Sequence, residues 1–93
     1  MTIQKPYLLE VLLWVRPGME ETFQQYEHEA AVAMQRYGGE ILEVGEGRDG
    51  ASERHLVSFP DEAAFAAYRD SAEASANAPL RAKCIARTEL VPA

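Results

Sequence analysis

Arg54-His-Leu-Val-Ser-Phe-Pro-Asp-Glu-Ala-Ala-Phe-Ala-Ala-Tyr68 carries two hydrophobic periods back to back. His55, Val57 and Phe59 alternate with Arg54, Leu56 and Ser58, which is the period of a strand. Pro60 closes that run. Asp61 is placed to cap a helix whose inner side carries Ala64, Phe65, Tyr68 and Ala72.

Working upstream, Glu53 to Phe59 is the third strand of the chain. Gly45 through Ser52 is rich in Gly, Asp and Ser, so a hairpin joins it to a short second strand over Glu40 to Glu46. Gly38-Gly39 ends a long helix in which Met19, Phe23, Tyr26, Ala30, Ala33, Met34 and Tyr37 recur at spacings of three and four. Glu20 and Glu21 stand in its first turn, where the helix dipole favours them, and Glu27 and His28 fall on its polar side. Pro17-Gly18 separates it from the first strand, Tyr7 to Val15, whose length and single charge suit burial on both faces. Downstream, Ser71 to Asn77 reads as a short continuation of the second helix after a kink. Ala78-Pro79 is expected to break it, and Lys83 to Val91 is the last strand.

Strand, helix, strand, strand, helix, strand is the ferredoxin-like βαββαβ order, an α+β fold. It places two helices on one face of a four-stranded antiparallel sheet, with the first and third strands central. Tyr7, Leu9, Val11, Leu13 and Val15 then face the helices. Leu8, Glu10, Leu12 and Trp14 face away, and in a monomer water would meet the apolar members of that set. Leu56, with Leu42 or Val44, adds to the patch. A contiguous apolar patch marks an interface, so a homodimer with sheets face to face is expected.

The chain of 93 residues is read as one domain, 1–93. A net charge of −6 with scattered basic residues disfavours nucleic acid and anionic membrane surfaces. The longest apolar run, Tyr7 to Val15, is far short of the ~20 residues a membrane helix needs. One cysteine, Cys84, and no visible secretion signal point to a cytoplasmic protein.

Beyond these local readings, Pro17-Gly18 with Glu21, Phe23 and Tyr26, Gly38-Gly39, Val57-Ser-Phe-Pro-Asp61, Tyr68 with Asp70-Ser71-Ala-Glu73, and Pro79-Leu-Arg81 form a pattern. The pattern resembles the small proteins of uncharacterised function within the dimeric α/β-barrel superfamily, related to antibiotic-biosynthesis-type monooxygenases. The resemblance implies a dimeric barrel. Where the family usually has serine, this chain has Asp61, an equally good cap. The superfamily includes cofactor-free monooxygenases, isomerases, haem-binding enzymes and ligand-sensing domains, among which fold alone does not choose. No catalytic residue is carried over.

The residues themselves suggest a few candidates. Glu10 interrupts a buried run: either it is a titrating acid or base in an apolar cavity, or it pairs with an arginine across the sheet. Trp14 on the same face is either a pocket wall or an interface anchor. Arg54 and Arg87 are candidate partners for an anionic ligand, or residues of a strand end and an edge strand. His55 points to the helix layer and reads as a hydrogen-bonded, partly buried histidine. His28, His55 and Cys84 lack ligand spacing, so no metal site is expected. No cofactor is expected, since Gly45-Glu-Gly47 opens a hairpin and not a phosphate-binding helix. The expected function is binding of a small, partly apolar molecule in a cleft between sheet and helices, with cofactor-free monooxygenase or isomerase-like chemistry. The alternative is a non-catalytic binding or interaction module.

Overall fold

The computed structural model describes residues 5–93. The chain runs β1 Tyr7–Val15, α1 Glu20–Gln35, β2 Glu40–Glu46, β3 Glu53–Phe59, α2 Glu62–Arg69, α3 Ala72–Cys84 and β4 Ile85–Pro92. The strands pair antiparallel in the order β2-β3-β1-β4, so β1 and β3 are central. This is the ferredoxin-like α+β arrangement, with its second helical segment divided in two.

The register settles the two faces of the sheet. Leu9 lies opposite Val57, Val11 opposite His55 and Leu13 opposite Glu53, and this face packs on the helices. Leu13 joins Phe23, Cys84 and Ile85 in one buried cluster, while Val57 and Phe59 join Met34 in another. Gly39 is required where α1 hands over to β2. A Cβ there would stand 2.6 Å from the Phe59 ring, closer than packed atoms tolerate.

Two side-chain caps explain the divided helix. Asp61 Oδ1 accepts from Ala64 N at 2.7 Å and starts α2. Ser71 Oγ accepts from Ala74 N at 3.1 Å while its hydroxyl donates to the Tyr68 carbonyl at 2.6 Å, so a new helix begins at Ala72. Pro79 does not break that helix, contrary to the expectation, and α3 continues to Cys84. The proline forfeits one backbone bond, but the segment beyond it is anchored. Cys84 is fully buried, its thiol donates to Leu80 O at 3.3 Å, and Arg16 N donates to Cys84 O at 2.8 Å. Burial of that turn outweighs the lost bond. Cys84 therefore ends a helix and does not open the last strand.

Bulges alter which residues share a face. Leu42 has no partner across β3, so Val44 pairs with His55 on the helix side of the sheet and does not join the patch. A second irregularity on the Trp14–Val15 pairing sends Ile85 into the core, while Arg87, Glu89 and Val91 lie opposite Trp14, Leu12 and Glu10.

The outer face of β1 also differs from expectation at Leu12, which is 1% exposed within a single chain. The loop after β2 folds back over that face. It turns through Asp49 at φ 56° and Gly50 at φ 90°, Ser52 N donates to Leu13 O at 2.8 Å, and Val15 N donates to Ser52 Oγ at 3.0 Å. Arg48 from this loop pairs with Glu10, and a Cβ on Gly50 would lie 3.4 Å from the Trp14 indole nitrogen. Leu12 lies between Glu10 and Trp14 on β1 and opposite Arg54 on β3, on the face the loop reaches. Among the described residues, no helix is long and apolar enough to cross a membrane.

Candidate functional site

A cleft of about 450 Å3 lies between the sheet and the helices. Leu9, Val11 and Val57 form its floor, Phe23, Tyr26 and Ala30 of α1 one side, and Ala74 and Ala78 of α3 another. Leu90 and Thr88 reach it from β4. Most of this lining is apolar, with a small number of polar groups, which is the composition of a small-molecule site.

Two polar lining groups, Glu27 and His55, meet at one wall, with Glu53 behind them. Glu53 and His55 are two apart on β3, so the alternation of the strand points both toward the helix layer. Phe23 and Glu27 are four apart on α1, so they stack on one side of that helix. The Phe23 ring lies 6.3 Å from the His55 ring and holds it, while His55 Nε2 stands 3.1 Å from Glu53 Oε1 and 3.8 Å from Glu27 Oε2. Burial, opposed by His55 and reinforced by Glu53, pushes the Glu27 carboxyl above its ordinary range. On the α3 side Arg81 donates to Thr88 Oγ1 at 2.6 Å at the rim. Burial raises Tyr26, and lifts the Tyr68 hydroxyl to about 12, so both stay protonated donors at neutral pH.

Glu10, Trp14, Arg54 and Arg87 are not part of this cleft; they occupy the opposite sheet face. Glu10 Oε2 accepts from Arg54 Nε at 2.9 Å, Oε1 pairs with Arg48, and Arg54 also reaches Glu43 at 3.5 Å. The hydrogen bonds from Arg54 and then Arg48 hold the Glu10 carboxyl below the ordinary carboxylate range. That is the reverse of what an apolar cavity would impose on it. Arg87 lies 4.6 Å over the Trp14 ring and 3.4 Å from Glu89.

The Glu10 shift has a definite sign in stability. A carboxylate whose folded pKa is depressed contributes stability above its ordinary value of 4.5, and that contribution is lost as pH falls through the folded pKa. Glu10→Gln is therefore expected to lower the melting temperature at pH 7. The difference from the parent chain should shrink below pH 4.5, as scanning calorimetry across pH would show.

The polar wall was only partly legible in the sequence. His55 lies toward the helices, as strand alternation predicts. Periodicity puts Glu27 on the polar side of α1, yet it borders the apolar stripe and lines the cleft. The usable signal was Glu53-x-His55 at strand spacing together with a carboxylate one turn after Phe23. Linear spacing between histidines and the cysteine carried no such information.

A family model described as a domain of unknown function (DUF1330) matches residues 11–91. The chain belongs to this family. No curated protein matches it. Among solved structures, this DUF1330 chain is similar to a protein of unknown function from Rhodopseudomonas palustris, with a TM-score of 0.80 and 15% identity over 96% of this chain and 81% of that one. It is similar to a "Putative antibiotic biosynthesis monooxygenase" from Nitrosomonas europaea, TM-score 0.74, 16% identity, over 98% and 90% of the two chains. A protein from Pseudomonas aeruginosa aligns at TM-score 0.76 and 12% identity over 100% and 96%. At such identities the likeness shows the fold, which agrees with the superfamily resemblance read from the sequence.

Proposed function

We propose that this DUF1330 chain binds a small, partly apolar molecule in the cleft between sheet and helices. The observation that carries the reading is the juxtaposition of an apolar floor with the Glu27–His55 wall in one cleft of about 450 Å3. The apolar body of the ligand rests on Val11 and Val57 and its polar end meets the wall. A carboxylate with a raised pKa beside an imidazole suits proton transfer to or from a bound molecule, the step expected of isomerase-like or cofactor-free monooxygenase chemistry. The similarity to a structure carrying a monooxygenase name supports a ligand site in this fold. A second reading, a binding module without turnover, is favoured by the polar side chains already bonding one another, as His55 does with Glu53 and Arg81 with Thr88.

The working unit in this proposal is a homodimer through the outer sheet face. Helices leave that face uncovered, and Leu42 is 49% exposed beside it. Glu10 is already paired with two arginines of its own chain, so covering the face does not strand its carboxylate without a partner.

Native mass spectrometry and titration with anilinonaphthalene sulfonate, a small apolar anion, test both parts. We expect a doubled mass and saturable fluorescence with one probe per chain. Ala78→Phe, which fills the cleft from α3, should weaken the probe about tenfold or more, roughly 1.4 kcal/mol, without changing the circular dichroism. Undiminished binding to that variant would remove the cleft reading, and a stable monomer would remove the dimer.

A further inference from the structure

We infer that Glu27, Glu53 and His55 form a binding site for a divalent transition-metal ion of the zinc class. All three side-chain ligand atoms lie within 4.8 Å of one another. Metal–ligand bonds of about 2.0–2.2 Å at tetrahedral angles place ligand atoms roughly 3.3–3.6 Å apart. His55 Nε2 is 3.1 Å from one carboxylate oxygen and 3.8 Å from the other, so the spacing brackets that value. Closing on an ion requires the two carboxylates, now within 4.8 Å of each other, to draw together to that spacing by side-chain rotation.

The electrostatics point the same way. Two carboxylates converge on one imidazole, and among the described residues neither is ion-paired to an arginine or lysine. Their side chains are 29% exposed and that of His55 is 7% exposed, so water screens the excess negative charge poorly. A histidine–glutamate pair alone would account for Glu53 and leave Glu27 facing a second carboxylate. A dication compensates both. One nitrogen and two carboxylate oxygens suit zinc and its first-row neighbours better than calcium or magnesium, which favour oxygen alone.

The site is also built on rigid elements. Glu53 and His55 come from a central strand and Glu27 from the long helix over it. Three protein ligands leave a fourth position open to water or another ligand, and two of the three, Glu27 and His55, line the cleft. The proposal goes beyond the cleft reading: a bound ion takes Glu27 and His55 as ligands in place of free proton-transfer groups, and it is measured without any organic ligand, so either can fail alone.

The test uses the purified full chain, stripped with a chelator and titrated calorimetrically with Zn2+, with elemental analysis of the product. One zinc per chain is expected, with a rise in melting temperature on binding. Glu53→Gln and Glu27→Gln should each lower affinity at least about tenfold while retaining the fold by circular dichroism. His55→Gln should do the same, and the two glutamate variants keep the test readable if His55→Gln fails to fold. Absence of saturable zinc binding would overturn the site. Binding of unchanged affinity in both glutamate variants would overturn it too, by assigning the ion to other carboxylates.

Discussion

Phe59→Ala is expected to cost about 3–5 kcal/mol, the range for removing a fully buried phenylalanine. Phe59 is 1% exposed and sits where every layer meets. Its ring lies 5.2 Å from Phe65 edge-on and 5.7 Å from Tyr68, and its edge occupies the space that Gly39 leaves free. Rigid backbone on the Gly39 side and the capped α2 on the other limit collapse into the void, which favours the upper part of the range. Small domains have roughly 5–15 kcal/mol in total, so the variant should be close to unfolding. For a chain of this length the melting temperature should drop by about 12 °C or more. A loss under about 1 kcal/mol in urea unfolding would show that the second core cluster is not cooperative with the rest.

Leu12→Ala should lose about 2–5 kcal/mol, although Leu12 lies on the sheet face that no helix covers. On that face it lies opposite Arg54 and between Glu10 and Trp14, which the loop after β2 reaches through Arg48 and Gly50. Two contributions then fail together: the apolar contact itself, and the support it lends to the Arg48–Glu10–Arg54 pairs above it. Leu56→Ala, half-buried on the same face, should cost less in the single chain. Unfolding at several protein concentrations separates the terms, because a dimer contribution depends on concentration and the Leu12 contribution does not. Equal losses for the two variants would mean that the loop does not cover Leu12.

These two positions mark where sequence reading succeeds and where it stops. The period-two run ending at Phe59 and the cap at Asp61 are local patterns, and the chain folds locally as they dictate. The strands β1, β2 and β3, the helix α1, and the inward set of β1 from Tyr7 to Val15 follow from the same kind of reasoning. Pro79 shows its limit: a local helix breaker is overruled because Cys84, several residues on, is buried against a different element.

The order of the elements and the apolar face of β1, and with them the ferredoxin-like class, are legible in residue order because they rest on periodicity within single segments. Which side chains meet follows from how the elements pack. Bulges moved Val44 and Ile85 to the helix side, the loop after β2 reached Glu10 and Trp14 on either side of Leu12, and Glu27 was brought to Glu53 and His55 across some twenty-six residues of chain. Each of these depends on register and on the angle at which one element crosses another. A shift of one residue reverses a strand's faces, and no pattern within a single segment records that shift.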